Sequence, residues 1–310
     1  MAKKIKILIA IDGSKSAMAA VRYAGNFFNP QKTDVVLIHI MSNMPPAAEV
    51  LRSVASPEDT NVETEKWHRE TTKHIQKKME EAESILQSAG YDKQSINVKI
   101  QTQIKGVARD IIAESEKAYN ALLVGRRGLN DPTNNIVGAT AYRMMKAIEH
   151  LPVVIVGDNP DSGNVLIGFD GSENSLKAVD CVCELMPHPL RKVVLCHVSR
   201  ETDHDDPDGK ALARDQKKEG MNQGRNPVET VMQRAEDRLA GAGFDRSLIE
   251  KEILEGMISR AVAISKTAES RHCGSVVVGR RGLSIIRDFM MGRVTMKILH
   301  KAHTQAVWIV

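Results

Sequence analysis

The sequence predicts an α/β protein of two tandem domains, each a five-stranded parallel sheet sandwiched by helices. Three observations carry this. The chain has 310 residues, enough for two cores at ~100–200 residues per domain. It repeats itself over a period too long for a solenoid unit and of the right size for a domain. Within each repeat, short apolar runs alternate with helical segments, the pattern of parallel strands joined by right-handed crossovers.

The repeat is visible in the residues. Ile5-Lys-Ile-Leu-Ile-Ala-Ile-Asp-Gly-Ser14 returns as Asn164-Val-Leu-Ile-Gly-Phe-Asp-Gly-Ser172, so Asp170 lies 158 residues after Asp12. Asp34-Val-Val-Leu-Ile-His-Ile40 returns as Lys192-Val-Val-Leu-Cys-His-Val198. Ile104-Lys-Gly-Val-Ala-Arg-Asp-Ile111 resembles Leu254-Glu-Gly-Met-Ile-Ser-Arg-Ala261. Leu123-Val-Gly-Arg-Arg-Gly-Leu129 comes back as Val277-Val-Gly-Arg-Arg-Gly-Leu283. The stretch 157–163, rich in Gly, Pro, Asp and Ser, marks the boundary. Domains are therefore expected at 1–157 and 163–310.

Element by element, the first half predicts strands at 5–11, 34–40, 96–103, 120–124 and 152–156. They are mostly β-branched or apolar runs, as strands covered on both faces should be. Helices are predicted at 15–27, 61–89, 106–117 and 138–149, with Gly90 closing the second. The second half predicts strands at 164–169, 192–198, 248–253, 275–278 and 306–310, and helices at 173–186, 228–241, 257–270 and 292–302. Two polar segments, 42–60 and 199–227, are long for connections in a compact domain and read as lids, partner surfaces or irregular loops.

Composition narrows the function. Hydrophobic residues make up 42% and charged residues 26%, ordinary for a globular protein. A net charge of +4 spread over the chain disfavours a general nucleic-acid binder. Aromatics at 4% are too few for base-stacking platforms. No apolar stretch approaches the ~18 residues of a membrane span. The apolar run 7–11 stops at Asp12, too short for a signal-peptide core, and reads as a first strand. A cytoplasmic protein without a nucleic-acid or membrane partner is the expectation. Cys181, Cys183, Cys196 and Cys273 have neither disulfide-framework nor zinc spacing and read as reduced thiols.

The chemistry concentrates after the fourth strand of each half. Gly125-x2-Gly128-x9-Gly138 and Gly279-x2-Gly282-x9-Gly292 each lie between a strand and a helix. Glycines let backbone approach a ligand, and the N–H groups and dipole of the following helix favour an anion. The pairs Arg126-Arg127 and Arg280-Arg281 can add charge, so a phosphate-bearing ligand is the functional reading and tight turns the plain one. The second signal is Asp12-Gly13-Ser14 and its copy Asp170-Gly171-Ser172, each ending a first strand. Ligands of parallel sheets bind at such carboxyl ends. The aspartate can accept from ribose hydroxyls while the serine caps the next helix.

On these residues both halves resemble the universal stress protein family, whose pattern is Gly-x2-Gly-x9-Gly-(Ser/Thr) after a first strand ending in Asp. The resemblance implies the Rossmann-like, adenine nucleotide alpha-hydrolase-like fold, with the halves packed as a pseudo-dimer through the strands 153–156 and 306–310. It implies ATP, with or without Mg, as ligand. Asp12 and Asp170 would meet ribose, and the backbone of Ile40 and Val198 adenine. Gly125, Gly128, Gly138, Gly279, Gly282 and Gly292 would line ribose and phosphates, beside Arg127 and Arg281. The family's Ser/Thr is Ala139 in the first half and Arg293 in the second, followed by Thr140 and Val294. Ala139 removes a hydroxyl that Thr140 could replace. Arg293 could pair with phosphate or obstruct it. Asp131 adds a repulsive charge inside the first spacer.

Other motifs are missing: there is no Gly-x4-Gly-Lys-(Ser/Thr) phosphate loop, no Gly-x-Gly-x2-Gly after the first strand and no Gly-x-Ser-x-Gly elbow. His39 and His197 recur at strand ends and read as structural. His204 among Asp203, Asp205, Asp206 and Asp208 reads as a solvated acidic loop. The leading expectation is a stress-response factor that binds adenine nucleotide, with an unidentified protein partner and a homodimer as a further assembly. A nucleotide-independent scaffold with degenerate sites is the first alternative and a slow ATPase the last.

Overall fold

The computed structural model describes residues 4–42, 57–129, 137–158, 160, 163–186, 191–199, 227–281 and 291–310, with backbone alone for 57–68 and 227. Most of segments 42–60 and 199–227, together with Asp131, Gly282 and the acidic run around His204, lies outside the described residues. The chain divides into two compact units, Met1–Ile148 and Glu149–Val310.

The first unit runs β1 (Ile5–Ala10), α1 (Lys15–Phe27), β2 (Thr33–Met41), α2 (Pro57–Ser88), β3 (Ile96–Thr102), α3 (Val107–Ser115), β4 (Ala121–Gly125) and α4 (Ala139–Ala147). Its strands are all parallel, in the order β3-β2-β1-β4. α1 packs on β4 and α2, while α3 packs on β2 and α4. Strands covered on both faces must be apolar throughout. Accordingly Ile7, Leu8 and Ile9 of β1 and Leu122 and Leu123 of β4 have no exposed surface.

Helix boundaries follow local chemistry. Ser14 caps α1 by accepting from the Ala17 N–H at 3.1 Å. α2 starts at Pro57, so 57–60 are helical where the sequence predicts irregular chain. A proline in the first helical position gives up no hydrogen bond. At its other end the Tyr91 N–H reaches back over Gly90 to the Leu86 carbonyl at 3.1 Å.

The second unit runs β5 (Val153–Val156), β6 (Asn164–Gly168), α5 (Glu173–Leu185), β7 (Val193–Val198), α6 (Pro227–Gly241), β8 (Ile249–Leu254), α7 (Arg260–Ser270), β9 (Cys273–Val278), α8 (Arg293–Lys301) and β10 (Ala306–Ile309). The order is β5-β10-β9-β6-β7-β8, parallel except that β5 runs antiparallel to β10. β5, expected as the fifth strand of the first repeat, groups with this unit and pairs Val153 with Ile309 and Val156 with Ala306. α7 begins at Arg260, later than the predicted residue 257.

Each unit places one strand, β1 in the first and β6 in the second, between neighbours that the chain visits on opposite sides. β1 lies between β2 and β4, and β6 between β7 and β9. The crossovers diverge there and open a crevice at the carboxyl ends. No helix among the described residues is long and apolar enough to cross a membrane.

Candidate functional site

In the first unit, Asp12 stands at the mouth of this crevice, half-buried. Its Oδ1 accepts from the Ser14 N–H at 2.9 Å, a local turn that Gly13 permits with φ +85°. Its Oδ2 accepts from the Leu129 N–H at 3.1 Å, which ties the end of β1 to the turn after β4. Ser14 Oγ donates to the Arg127 carbonyl at 3.2 Å and reinforces this tie. The Gly138 N–H then donates to the Arg126 carbonyl at 2.9 Å, which sets the start of α4 beside the same turn.

Asp12, Arg127, Gly128, Gly138, Ala139 and Thr140 are thus brought to one end of the sheet. Gly138 is the N-cap of α4 and offers no side chain, and Ala139 and Thr140 are exposed. N–H groups of the first turn lack helical acceptors, so this end is electropositive. A carboxylate has room for about four hydrogen bonds, which leaves Asp12 acceptor capacity for hydroxyl donors.

The glycines differ in role. A Cβ on Gly128 would stand 2.8 Å from Asp12 Oδ2, so this glycine lets the turn close on the carboxylate. A Cβ on Gly125 would lie 2.5 Å from the Ala17 nitrogen and 2.5 Å from the Ser16 carbonyl carbon. Gly125 is therefore a packing glycine that admits α1 against β4. Gly279 repeats this, since its Cβ would meet Asn174 Cβ at 2.8 Å and the Asn174 backbone at 2.9 Å. The arginine pairs also divide. Arg126 and Arg280 are buried, 1% and 7% exposed, while Arg127 is half-buried and Arg281 exposed. Burial pushes the Arg280 guanidinium below its usual range, against the pull of Glu149 and alongside the repulsion of Arg281. Arg281 itself reaches Glu149 at 3.4 Å.

The second unit repeats the frame. Asp170 Oδ1 accepts from the Ser172 N–H at 3.0 Å, and Ser172 Oγ caps α5 from the Ser175 N–H at 3.1 Å. The Gly292 N–H donates to the Arg280 carbonyl at 2.8 Å and opens α8, with Arg293 exposed and Val294 half-buried. Two residues were not expected here from the sequence. Thr295 Oγ1 donates to the Gly279 carbonyl at 2.9 Å, where the aligned residue of the first unit is Ala141. Arg260 Nε donates to the Val198 carbonyl at 3.2 Å. Only the difference between the repeats at these positions, Ala to Thr and Asp to Arg, hinted at them.

The strand histidines serve the frame. His39 Nδ1 lies 2.7 Å from the Ile11 carbonyl and His197 Nδ1 3.0 Å from the Phe169 carbonyl, so each donates there from Nδ1–H. Burial pushes His39 below its ordinary range, although the Ile11 carbonyl and Asp12 pull the other way. Ile40 and Val198 are the buried residues that follow, 4% and 5% exposed.

Comparison with known proteins matches this geometry to one family. Residues 5–157 and 162–310 each fit the model of the universal stress protein family. A universal stress protein of Mycolicibacterium smegmatis is 23% identical over 176 residues, covering 54% of this chain and 55% of the relative. The chain thus spans about half the length of that curated relative. The crystal structure of a universal stress protein from Archaeoglobus fulgidus is similar over 98% of this chain and 97% of its own, with a TM-score of 0.59 at 16% identity. A protein of unknown function from Pseudomonas aeruginosa PAO1 is similar over 98% and 92%, with a TM-score of 0.51 at 14% identity. At such identities the structures speak for the shared fold, and it is the two matches of the family model, covering nearly the whole sequence, that place the chain: it belongs to the universal stress protein family, as a tandem member.

Proposed function

We propose that the chain binds adenine nucleotide, ATP with or without Mg, in the crevice of Met1–Ile148, and acts in the cytoplasm as a regulatory or protective stress factor. The observation that carries this reading is the convergence on Asp12. One carboxylate holds the N–H groups of Ser14 and Leu129 and keeps acceptor capacity toward the crevice. The open first turn of α4 lies at the other side of the same turn. Hydroxyl donors are served by the first and phosphate oxygens by the second. Ala139 leaves backbone N–H groups as the anion donors, since they do not depend on the side chain. Bound nucleotide regulates only if it favours one state of the protein, and the glycine turn is the element it would order.

Calorimetric titration of ligand-free protein with ATP tests this. Saturable binding is expected, weakened at least about tenfold in Asp12→Ala, as loss of roughly 1.5–3 kcal/mol of charged hydrogen bonding implies. Absence of binding at millimolar ATP would overturn the reading and favour a nucleotide-independent scaffold.

A further inference from the structure

We infer that Arg260 occupies the ligand crevice of the second unit and limits the chain to one nucleotide, held by the first unit. This rests on the nucleotide reading above and deepens it by distinguishing two sites that the motifs make look alike.

The direction of the β7 carbonyls is the starting point. The Cys196 carbonyl accepts from the Phe169 N–H at 2.8 Å, so it points toward β6. Carbonyls alternate along a strand, so that of Val198 points the same way. β6 has ended at Gly168, and the Val198 carbonyl therefore faces the crevice beyond it. Ser199, of opposite parity, turns to the other side: its N–H donates to Leu254 at 2.9 Å and its carbonyl accepts from Met257 at 3.0 Å. The Val198 carbonyl is thus an outward acceptor at the place where a ligand of this fold must sit, and Arg260 Nε already fills it at 3.2 Å.

The first unit has the same backbone frame with a different side chain at this place in the repeat. The Ile38 carbonyl accepts from the Ile11 N–H at 2.8 Å, so the Ile40 carbonyl faces the crevice by the same parity. In the sequence match of 104–111 with 254–261, Asp110 stands opposite Arg260, although Arg260 opens α7 and Asp110 lies one turn inside α3. Its carboxylate accepts from the N–H groups of Ile104 at 2.7 Å, Lys105 at 3.0 Å and Gly106 at 3.4 Å, ahead of its own helix. The chemistry forces the difference. A carboxylate can only accept and a guanidinium can only donate, so the two side chains cannot make the same contact. Arg260 also opens α7, where the helix dipole disfavours a cation, so helix propensity does not explain its placement.

Titration of the full chain with ATP, counting sites, decides the matter. One nucleotide per chain is expected for the unaltered protein, one bound at least about tenfold more weakly for Asp12→Ala, and one at unaltered affinity for Asp170→Ala. Arg260→Ala should raise the count to two, with Arg260→Gln as the companion variant should the first fold poorly. Two nucleotides on the unaltered chain overturn the inference. So does a folded Arg260 variant that still takes one at millimolar ATP, or one that loses binding, which would make Arg260 a ligand contact. If no protein in the series binds nucleotide, it is the functional reading itself that falls.

Discussion

Glycine at the two ends of one motif does different physical work, and the difference is measurable. A methyl group at Gly125 would be driven into the backbone of α1 at 2.5 Å, and backbone cannot swing aside. Gly125→Ala is expected to lose about 1–3 kcal/mol of stability from overpacking, read from urea unfolding. Among the described residues, a methyl at Gly128 meets only the carboxylate of Asp12 at 2.8 Å, a half-buried side chain that can rotate. Gly128→Ala should therefore spare stability, within roughly 0.5 kcal/mol, and weaken ATP binding by moving Asp12. The reverse pattern, a stable Gly125 variant with impaired binding, would return Gly125 to the ligand site. The spacing of the motif was legible in the sequence because it is local. Which glycine faces a helix and which a carboxylate was not, since Ser16, Ala17 and Asp12 reach them only through the fold. Burial of Arg126 beside the accessible Arg127 was hidden for the same reason.

Among the elements, α3 and α7 begin at different points of the repeat. Asp110 gathers three N–H groups ahead of α3 and lets it begin at Val107. Arg260 cannot accept them, and α7 begins only at Arg260 itself. Strand and helix order was legible because apolar runs and punctuation are periodic and local. The late start of α7 was not, because it depends on a contact from Arg260 to Val198. α3 also carries Glu114, 4% exposed, which accepts from Lys99 at 2.5 Å, Lys117 at 2.7 Å and Tyr119 at 2.6 Å. Burial raises its carboxyl, but the two ammonium groups and the phenol outweigh this and bring it down to about 2. An unfolded glutamate titrates near ~4.3, so the folded state binds the proton less readily. Glu114 thus contributes stability above that value, and the contribution fades as pH falls toward about 2. Thermal melts between neutral pH and pH ~3 should show a smaller acid loss in Glu114→Gln than in the unaltered chain, with the variant less stable at neutral pH by roughly 1–3 kcal/mol. Equal acid slopes would remove Glu114 from the account.

Viewed across the whole molecule, the four thiols lie in Glu149–Val310 alone and give that unit its own probe. All four are free, with Cys181, Cys196 and Cys273 buried and Cys183 partly so. Burial pushes Cys196 and Cys273 up to about 12 and Cys183 to about 11, and raises Cys181 further. Thiolate, not thiol, reacts with disulfide reagents, and a buried sulfur reacts only after the structure opens. Labelling of the native protein with an aromatic disulfide should therefore show one faster thiol, Cys183, and three slow ones. In denaturant all four should react together. Gly279→Ala sharpens this, because its methyl would press at 2.8–2.9 Å on Asn174 in α5, the helix that itself carries Cys181 and Cys183. The variant should accelerate the three slow thiols by the factor its destabilisation implies, about tenfold for each 1.4 kcal/mol. Three slow phases unmoved by Gly279→Ala, in a variant shown to be destabilised, would mean that the thiols are reached by local breathing. In that case their chemistry would say nothing about the stability of the unit that holds Arg260.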